Sequence, residues 1–338
     1  MSLRAAASTA SSVAARAAAA EILAAGGTAV DAVIAGFFAA AGERPGVLLA
    51  PTVALVAGTG AGARAYDGRS VQPGLGSARP RGFVADAVIP EAAYAAAPRT
   101  IAMLVLLHGH RGRTSLSVLA RFGVAAAEAQ DAKERAVLIR RVGASGVLAL
   151  RTTEVARSLI AVGGAVAGGV LTERDLEEAR PAETDAVTTA LASGANVFTS
   201  PWAPSEASAA ASEAIVACDG RGIVAAIAYA PSLAGIVVPE LGITLARDAV
   251  PVLRGVTRVA PGTPLAASAP IALLGRKGFW AAVGLAGVAS LRAEALEGLA
   301  GGQALETALA ELRAREEGRT ALAATSDGHL GRSALSEG

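Results

Sequence analysis

The chain has 338 residues, which is enough for a large buried core in either one layered domain or two smaller ones. Its 30 lysines and arginines nearly balance its 29 aspartates and glutamates, so the net charge argues against nucleic acid as a partner. A single cysteine excludes an internal disulfide. Because only three histidines are present, and His108 and His110 lie two apart in a polar stretch, we expect no metal and no other cofactor.

Hydrophobic residues make up 53% of the chain but aromatic residues only 3%, and much of the remainder is alanine. Alanine has the highest helix propensity and its small side chain lets backbones approach closely, so we expect tightly packed helices. The longest apolar stretch, residues 222–238, is shorter than the ~20 residues of a membrane span and contains Pro231. The N-terminus also lacks the pattern of a signal peptide. We therefore expect a cytoplasmic protein without a membrane partner.

The first predicted elements are two helices separated by a glycine pair. Ser11 or Ser12 is suited to cap a helix over residues 12–25, and Gly26 with the next glycine ends it. Thr28 then caps a second helix that extends to residue 41. Short strands are predicted at 53–57 and 63–66, and further helices at 115–128, 131–142, 153–162 and from 171.

The strongest strand signal is a hairpin at residues 214–229. Two apolar runs, 214–217 and 223–229, flank Asp219 and Gly220, and an Asp-Gly pair between such runs is typical of a tight β-turn. Shorter strands are predicted at 236–238, 243–246 and 271–274, followed by helices at 280–299 and 304–316. Helices, then strands, then helices favour an α+β architecture of stacked layers over a doubly wound sheet.

Several of these motifs, in this order, resemble the γ-glutamyltransferase family of N-terminal-nucleophile hydrolases. The most specific is AAAEILAAGGTAVDA at residues 18–32, in which Thr28 stands where the family prefers asparagine. Asp67-Gly68-Arg69, the segments 106–128 and 154–176, and the hairpin add further similarity. The resemblance covers nearly the whole chain, which is nevertheless shorter than a usual member, mainly between residue 181 and the hairpin and at the C-terminus.

The resemblance implies a four-layer αββα sandwich, truncated relative to the family. It also implies one domain over 1–338 with a large-subunit-like part (1–185), a shortened linker (186–209) and a small-subunit-like part (210–338). In the family, the precursor cleaves itself to expose a threonine. The free amine of that threonine acts as base while its hydroxyl attacks the γ-glutamyl amide.

The residues that would carry this chemistry are mostly replaced. The nucleophilic threonine falls on Ala210, the next threonine on Ala211 and the following histidine on Ser212. The carboxylate that would hold the ammonium group of the substrate falls on an apolar residue or proline within 246–252. Arg69 matches the arginine that binds the α-carboxylate; its alternative interpretation is a surface arginine after a turn.

These substitutions lead to two hypotheses. The first is a catalytically silent γ-glutamyltransferase-like protein that binds a small carboxylate-containing ligand or a protein partner, acts as a scaffold, or serves as a subunit beside a separate catalytic chain. The alternative is an enzyme that uses Ser208 or Ser212, which lie two positions either side of Ala210 and would share one face of a strand. Assembly into an oligomer is open under both hypotheses.

Overall fold

The protein folds into four layers, which the computed structural model describes for residues 6–9, 12–58, 62–78, 82–84, 87–326 and 331–337. Two antiparallel six-stranded sheets stack face to face, and helices cover the outer face of each sheet. The predicted αββα sandwich is therefore confirmed.

The first sheet has the strand order β1-β7-β8-β2-β3-β4. Its strands are β1 (Ala6–Thr9), β2 (Thr52–Gly58), β3 (Gly62–Gly68), β4 (Ala182–Asp185), β7 (Glu213–Cys218) and β8 (Ile223–Tyr229).

The second sheet has the order β14-β13-β12-β11-β6-β5. Its strands are β5 (Val187–Ala190), β6 (Asn196–Thr199), β11 (Ile271–Arg276), β12 (Phe279–Ala286), β13 (Thr320–Ser326) and β14 (Gly331–Glu337). A separate two-stranded ribbon joins β9 (Ile236–Val238) and β10 (Ile243–Leu245).

Seven α-helices precede β4 among the residues that the structure describes, and the longer ones cover the first sheet. They are α1 (Val13–Ala24), α2 (Ala29–Glu43), α3 (Thr100–Arg111), α4 (Leu116–Ala129), α5 (Lys133–Ser145), α6 (Thr153–Gly163) and α7 (Glu173–Glu177). The second sheet is covered by α8 (Glu297–Ala300) and α9 (Leu305–Arg315). None of the described helices is both long and apolar enough to cross a membrane.

Alternation along the central strands explains why both faces of each sheet are apolar. In β8, Ala225 and Ile227 pack towards the helices, whereas Ala226 and Ala228 pack towards the second sheet. The layer between the sheets is built largely from small side chains. It also contains Cys218, whose Sγ donates to Thr325 O at 3.0 Å and so links β7 to β13.

The buried carboxylate of Asp31 determines the local structure that follows the glycine pair at the N-terminus. Thr28 Oγ1 accepts from Asp31 N, and Thr28 N donates back to Asp31 Oδ2 at 2.9 Å, which forms a capping box at the start of α2. Asp31 also accepts from the backbone N–H groups of Arg113 and Thr114. The motif therefore both starts α2 and ties it to the loop after α3.

The expectation of closely packed helices is met where α2 crosses α4. A Cβ added to Gly42 would lie 2.1 Å from Gly123 O, and one added to Gly123 would lie 2.4 Å from Phe38 O. Neither position can hold a side chain without displacement of backbone. The two glycines thus set the distance between the helices.

Two segments differ from their sequence-based expectations. The helix predicted over 280–299 is wrong, because residues 279–286 form β12, which pairs with β11 on one side and β13 on the other. The segment 186–209, expected as a shortened linker, contributes β5 and β6 to the second sheet. In β12, pairing within the sheet overrides the helix propensity of the alanine-rich sequence, whereas β5 and β6 contain the valine, threonine and phenylalanine typical of strands.

Candidate functional site

The entry to β7 is the place where the family resemblance puts the nucleophile. Residues Glu206–Ala211 form a 3₁₀ turn, and Ser212 N closes it with a bond to Ala209 O at 2.9 Å. Ala210 is exposed on this turn, and the strand begins only at Glu213. The prediction that Ser208 and Ser212 share a strand face is therefore wrong, because the residues between them are not extended.

Ser212 is buried and its hydroxyl is held on several sides. The Oγ lies 2.7 Å from both Ala209 O and Val288 O, and it accepts a hydrogen bond from Gly287 N at 3.2 Å. A hydroxyl has one proton, so it donates to one of the two carbonyls at a time. These hydrogen bonds of Ser212 link the start of β7 to the residues that follow β12.

Ser208 belongs to a small network of hydroxyl groups. Ser268, which is fully buried, donates from Oγ to Ser205 O at 2.8 Å, and its Oγ lies 2.8 Å from Ser208 Oγ. Ser208 Oγ also lies 3.4 Å from Ser205 O, and it accepts from Ser268 N at 3.3 Å. The described hydrogen-bond partners of Ser208 are therefore the hydroxyl and N–H of Ser268 and the carbonyl of Ser205, none of which is a basic group.

A cavity of about 620 Å³ opens beside this turn, and we call it the turn cavity. The turn contributes Ala207, Ser208 and Ala211, and the chain after β8 contributes residues 230–235. The remaining described lining residues are Pro51, Tyr94, Arg247 and Asp248. The structure thus brings Ser208 onto the cavity, whereas Ala210 and Ser212 are not among the described lining residues.

Asp248 is the residue of this cavity that the sequence analysis missed. Its side chain is partly buried, and within the described part of the chain its one hydrogen-bond partner is Ser70, whose Oγ lies 3.4 Å from Oδ2. Burial raises the pKa of Asp248 above its ordinary value, and the bond from Ser70 offsets this only in part. The signal was present in the sequence, since Asp248 stands two positions before Val250, within the segment where an ammonium-binding carboxylate was sought.

Arg247, the neighbour of Asp248, supplies a positive charge at the rim of the turn cavity. Its guanidinium carbon lies 5.5 Å from the centre of the Tyr94 ring, and Nη1 lies 3.3 Å from Glu91 Oε1. The side chain is exposed, so the pair with Glu91 is weak. Arg247 can therefore turn towards an anionic group at the cavity mouth.

Arg69, the candidate carboxylate contact, is bound within the protein. Its Nε and Nη2 donate to the two oxygens of Asp67 at 3.0 and 3.1 Å, and its guanidinium carbon lies 5.1 Å from the centre of the Trp202 ring. Arg99 donates to the same Asp67 from Nη2 at 2.6 Å. Arg69 is not among the described residues that line the turn cavity, although Ser70, the next residue, contacts Asp248.

Comparison with solved structures places this arrangement in a known fold. Two forms of LmbA2991 match at 15% identity over 98% of both chains, with TM-scores of 0.69 and 0.66. Cephalosporin acylase from Bacillus halodurans matches at 13% identity over 99% of this chain and 96% of its own, with a TM-score of 0.69. The chain has the N-terminal-nucleophile hydrolase fold.

A γ-glutamyltranspeptidase shares part of the N-terminal-nucleophile hydrolase fold. The enzyme from Pseudomonas nitroreducens, complexed with L-DON, matches at 23% identity and a TM-score of 0.50 over 60% of this chain and 72% of its own. No protein-family model matches the sequence, and the comparison with curated proteins found no match either. At these identities the likeness concerns the fold.

Within this N-terminal-nucleophile hydrolase fold, an ion pair between the partly exposed Arg44 and the buried Glu213 fixes the first residue of β7. Glu213 Oε2 accepts from Arg44 Nη2 at 2.6 Å and from the Tyr229 hydroxyl at 2.8 Å, and Oε1 accepts from Arg44 Nη1. Tyr229 lies directly opposite Glu213 in β8 and is fully buried. Because Ala230 follows Tyr229 and lines the turn cavity, this pair also supports the cavity wall.

Proposed function

We propose that the chain is a ligand-binding protein of the N-terminal-nucleophile hydrolase fold that lacks transferase and hydrolase activity. The ligand is a small zwitterion that carries an ammonium and a carboxylate group, and its site is the turn cavity. Residues 1–185 and 210–338 correspond in this proposal to the large- and small-subunit-like parts of one domain. A role as a scaffold or as a partner subunit would use the same site.

The observation that carries the proposal is Asp248 on the cavity wall, with a hydroxyl but no cationic group among its described hydrogen-bond partners. A partly buried carboxylate is more stable in its charged form when a cation lies within ~4–6 Å. A ligand ammonium in the cavity would supply that cation. Arg247 at the rim could then pair with the carboxylate of the ligand, since a guanidinium binds a carboxylate through two parallel hydrogen bonds.

The absence of catalysis in this proposal rests on the hydroxyl groups near the turn. A nucleophilic serine needs an adjacent base, and the described hydrogen-bond partners of Ser208 are the hydroxyl and N–H of Ser268 and a backbone carbonyl. Ser212 is buried and bonded to backbone groups of Ala209 and Val288. Ala210, at the expected nucleophile position, has no reactive group. Neither histidine nor lysine is among the described residues that line the turn cavity.

One observation favours the alternative, a serine-dependent amidohydrolase or γ-glutamyl transferase. Ser208 and Asp248 line the same cavity, and a carboxyl group whose pKa is raised by burial can act as a general base near neutral pH. In that case Ser208 would be the nucleophile. Ser212 is a weaker choice, because it is buried and lies outside the described lining.

Binding is tested by isothermal titration calorimetry with L-glutamate. We expect binding to the wild-type protein and a loss of about 30-fold or more in Asp248→Asn, since removal of one partner of a buried charge pair costs about 2 kcal/mol or more. Glutarate, which lacks the amine, should bind weakly to the wild type, and Asp248→Asn should not weaken its binding further. Glu240→Gln, which removes an exposed acid outside the turn cavity, is the matched control and should bind like the wild type.

The pH dependence of glutamate binding provides a second test of the same site. Glutamate affinity should be highest where Asp248 is ionised and should fall as the pH drops through its raised pKa. Equal affinity of wild type and Asp248→Asn for glutamate would refute the assigned site.

Activity is tested on the same preparations with a γ-glutamyl anilide and by intact-protein mass spectrometry. We expect a single uncleaved chain and no turnover. Release of the aniline from this substrate by the wild type but not by Ser208→Ala, or a new N-terminus at Ser208, would favour the alternative and contradict the proposed inactivity.

A further inference from the structure

One part of the turn cavity is lined by hydrocarbon side chains, and we call this part the apolar wall. It consists of Pro51, just before β2, and of Ala230, Pro231, Leu233 and Ala234 in the loop after β8. These residues lie in the stretches 12–58 and 87–326, which the structure describes without a gap. The apolar wall and the charged pair of Arg247 and Asp248 therefore come from different segments of the chain.

Hydrogen bonds anchor the loop that carries most of the apolar wall. Ser232 N donates to Gly46 O at 2.9 Å, and Ser232 O accepts from Thr244 Oγ1 at 2.8 Å. Gly235 N also donates to Ser232 O, at 3.0 Å, and so closes a tight turn. Leu233 lies within this turn. Its backbone is thus held in place at the cavity before any ligand binds.

Leu233 is the largest hydrocarbon side chain of the apolar wall, and 69% of its surface is exposed. A hydrocarbon group of a ligand placed against Leu233 would remove apolar surface of both partners from water, which is favourable. A charged group placed there would lose hydration and gain no ionic partner from the wall. The wall therefore favours an apolar group of the ligand over a charged one.

The two charged residues of the lining are already assigned to the head group of the ligand. In the proposed function Asp248 binds the ammonium and Arg247 binds the carboxylate. Because these residues are adjacent in sequence, the head group occupies one part of the lining. The cavity of about 620 Å³ leaves room beyond the head group for a side chain, and the apolar wall borders the same cavity.

We propose that the ligand of the turn cavity is an α-amino acid with an apolar side chain, and that Leu233 determines this preference. The inference rests on the proposed function, because the same two residues bind the head group in both. It adds the chemistry of the side chain, which contacts the apolar wall. An amino acid whose side chain carries a carboxylate binds the same head-group site less tightly.

The test compares L-phenylalanine with L-glutamate by isothermal titration calorimetry on the wild-type protein. The two ligands share the head group and differ in the side chain. We expect phenylalanine to bind about tenfold more tightly, since burial of roughly 60 Å² of additional apolar surface is enough for that difference. 3-Phenylpropionate, which has the ring and the carboxylate but no amine, should bind about 30-fold or more weakly than phenylalanine.

Variants of Leu233 test whether this side chain sets the preference. Leu233→Ser removes the hydrocarbon group and should weaken phenylalanine binding by about fivefold, with glutamate binding unchanged within about twofold. Leu233→Lys places a cation on the wall and should weaken phenylalanine binding but raise the affinity for glutamate by up to about fivefold. Val237→Ser and Val237→Lys make matched changes at an exposed valine of β9, outside the described lining, and should leave both affinities unchanged.

The outcomes separate this inference from the proposed function. Glutamate binding that depends on Asp248, with phenylalanine bound no more tightly, would overturn the inference alone. So would a ratio of the two affinities that Leu233→Ser leaves unchanged. Asp248→Asn should weaken both ligands, and phenylalanine binding that survives it would place this ligand elsewhere and also overturn the inference. Binding of neither ligand by the wild type would refute the proposed function, and the inference with it.

Discussion

Replacement of Glu213 by alanine should destabilise the protein more than any change of an exposed ion pair. The substitution leaves the Arg44 guanidinium without the carboxylate that it contacts through both Nη atoms, and leaves the hydroxyl of the fully buried Tyr229 without its acceptor. Breaking a buried ion pair costs about 3–5 kcal/mol. Since Arg44 is partly exposed, about 3 kcal/mol is the appropriate figure for the pair.

The unsatisfied Tyr229 hydroxyl adds about 1 kcal/mol, which gives a total of about 4 kcal/mol. Unfolding entropy of about 2.1 cal/mol/K per residue amounts to roughly 0.7 kcal/mol/K for 338 residues, so Tm should fall by about 6 °C. Differential scanning calorimetry measures this directly. Tyr229→Phe removes only the hydroxyl and should cost about 1 kcal/mol.

Two controls decide whether the pair itself is responsible. Arg121→Ala breaks an ion pair with Glu21 in which both side chains are more than half exposed. It should shift Tm by less than about 1.5 °C, as expected for a contribution of about 0–1 kcal/mol. The double variant Arg44→Met/Glu213→Leu replaces both charges and should recover much of the loss. If Glu213→Ala melts no lower than Arg121→Ala, the assumption that this pair is desolvated is wrong.

Two further predictions concern stability. Gly123→Ala should destabilise the protein by about 1–3 kcal/mol in urea unfolding, because its Cβ would meet Phe38 O at the crossing of α2 and α4. The control is Gly109→Ala at an exposed helical position in α3, where no atom lies within 4 Å of the added Cβ, and it should stabilise the protein by up to about 1 kcal/mol. If Gly109→Ala were the less stable of the two variants, the packing described would be contradicted. For Asp67, burial alone would raise the pKa, but the hydrogen bonds from Arg69 and the charge of Arg99 together lower it below the ordinary value. The stabilising contribution of Asp67 should therefore be complete above about pH 4 and be lost as the pH falls through the lowered pKa. The difference in Tm between wild type and Asp67→Asn should accordingly shrink in acid. A difference in Tm that stays constant with pH would contradict this.

Local signals were sufficient for the elements that begin and end on capping or turn residues. Ser12 accepts from Ala15 N at the start of α1, and Gly26 with φ +85° follows its end, as predicted. The hairpin around Asp219 also has the predicted second strand, because that carboxylate accepts from the N–H groups of Arg221 and Ile223 within the turn. These contacts span few residues, and a sequence pattern reports them directly.

Features that depend on distant partners could not be predicted in the same way. The alanine-rich stretch from Trp280 has high helix propensity, yet it forms β12 because strands on both sides supply hydrogen bonds. Asp248 reaches the turn cavity because the segment around Val250 is held by Gln72, which is 178 positions away in sequence. No local pattern predicts such a contact, so the sequence placed Asp248 in the segment of interest but could not show that it lines the turn cavity.

The position of Cys218 between the two sheets gives the protein an internal reporter of its own opening. Cys218 is the single cysteine of the chain and is fully buried, with its Sγ directed at Thr325 O across the layer. A thiol reagent can reach this sulfur only when the sheets separate, so the rate of labelling under native conditions measures the free energy of that separation. Motions confined to the turn cavity or to the outer helices would leave the thiol protected, which distinguishes them from opening of the sandwich.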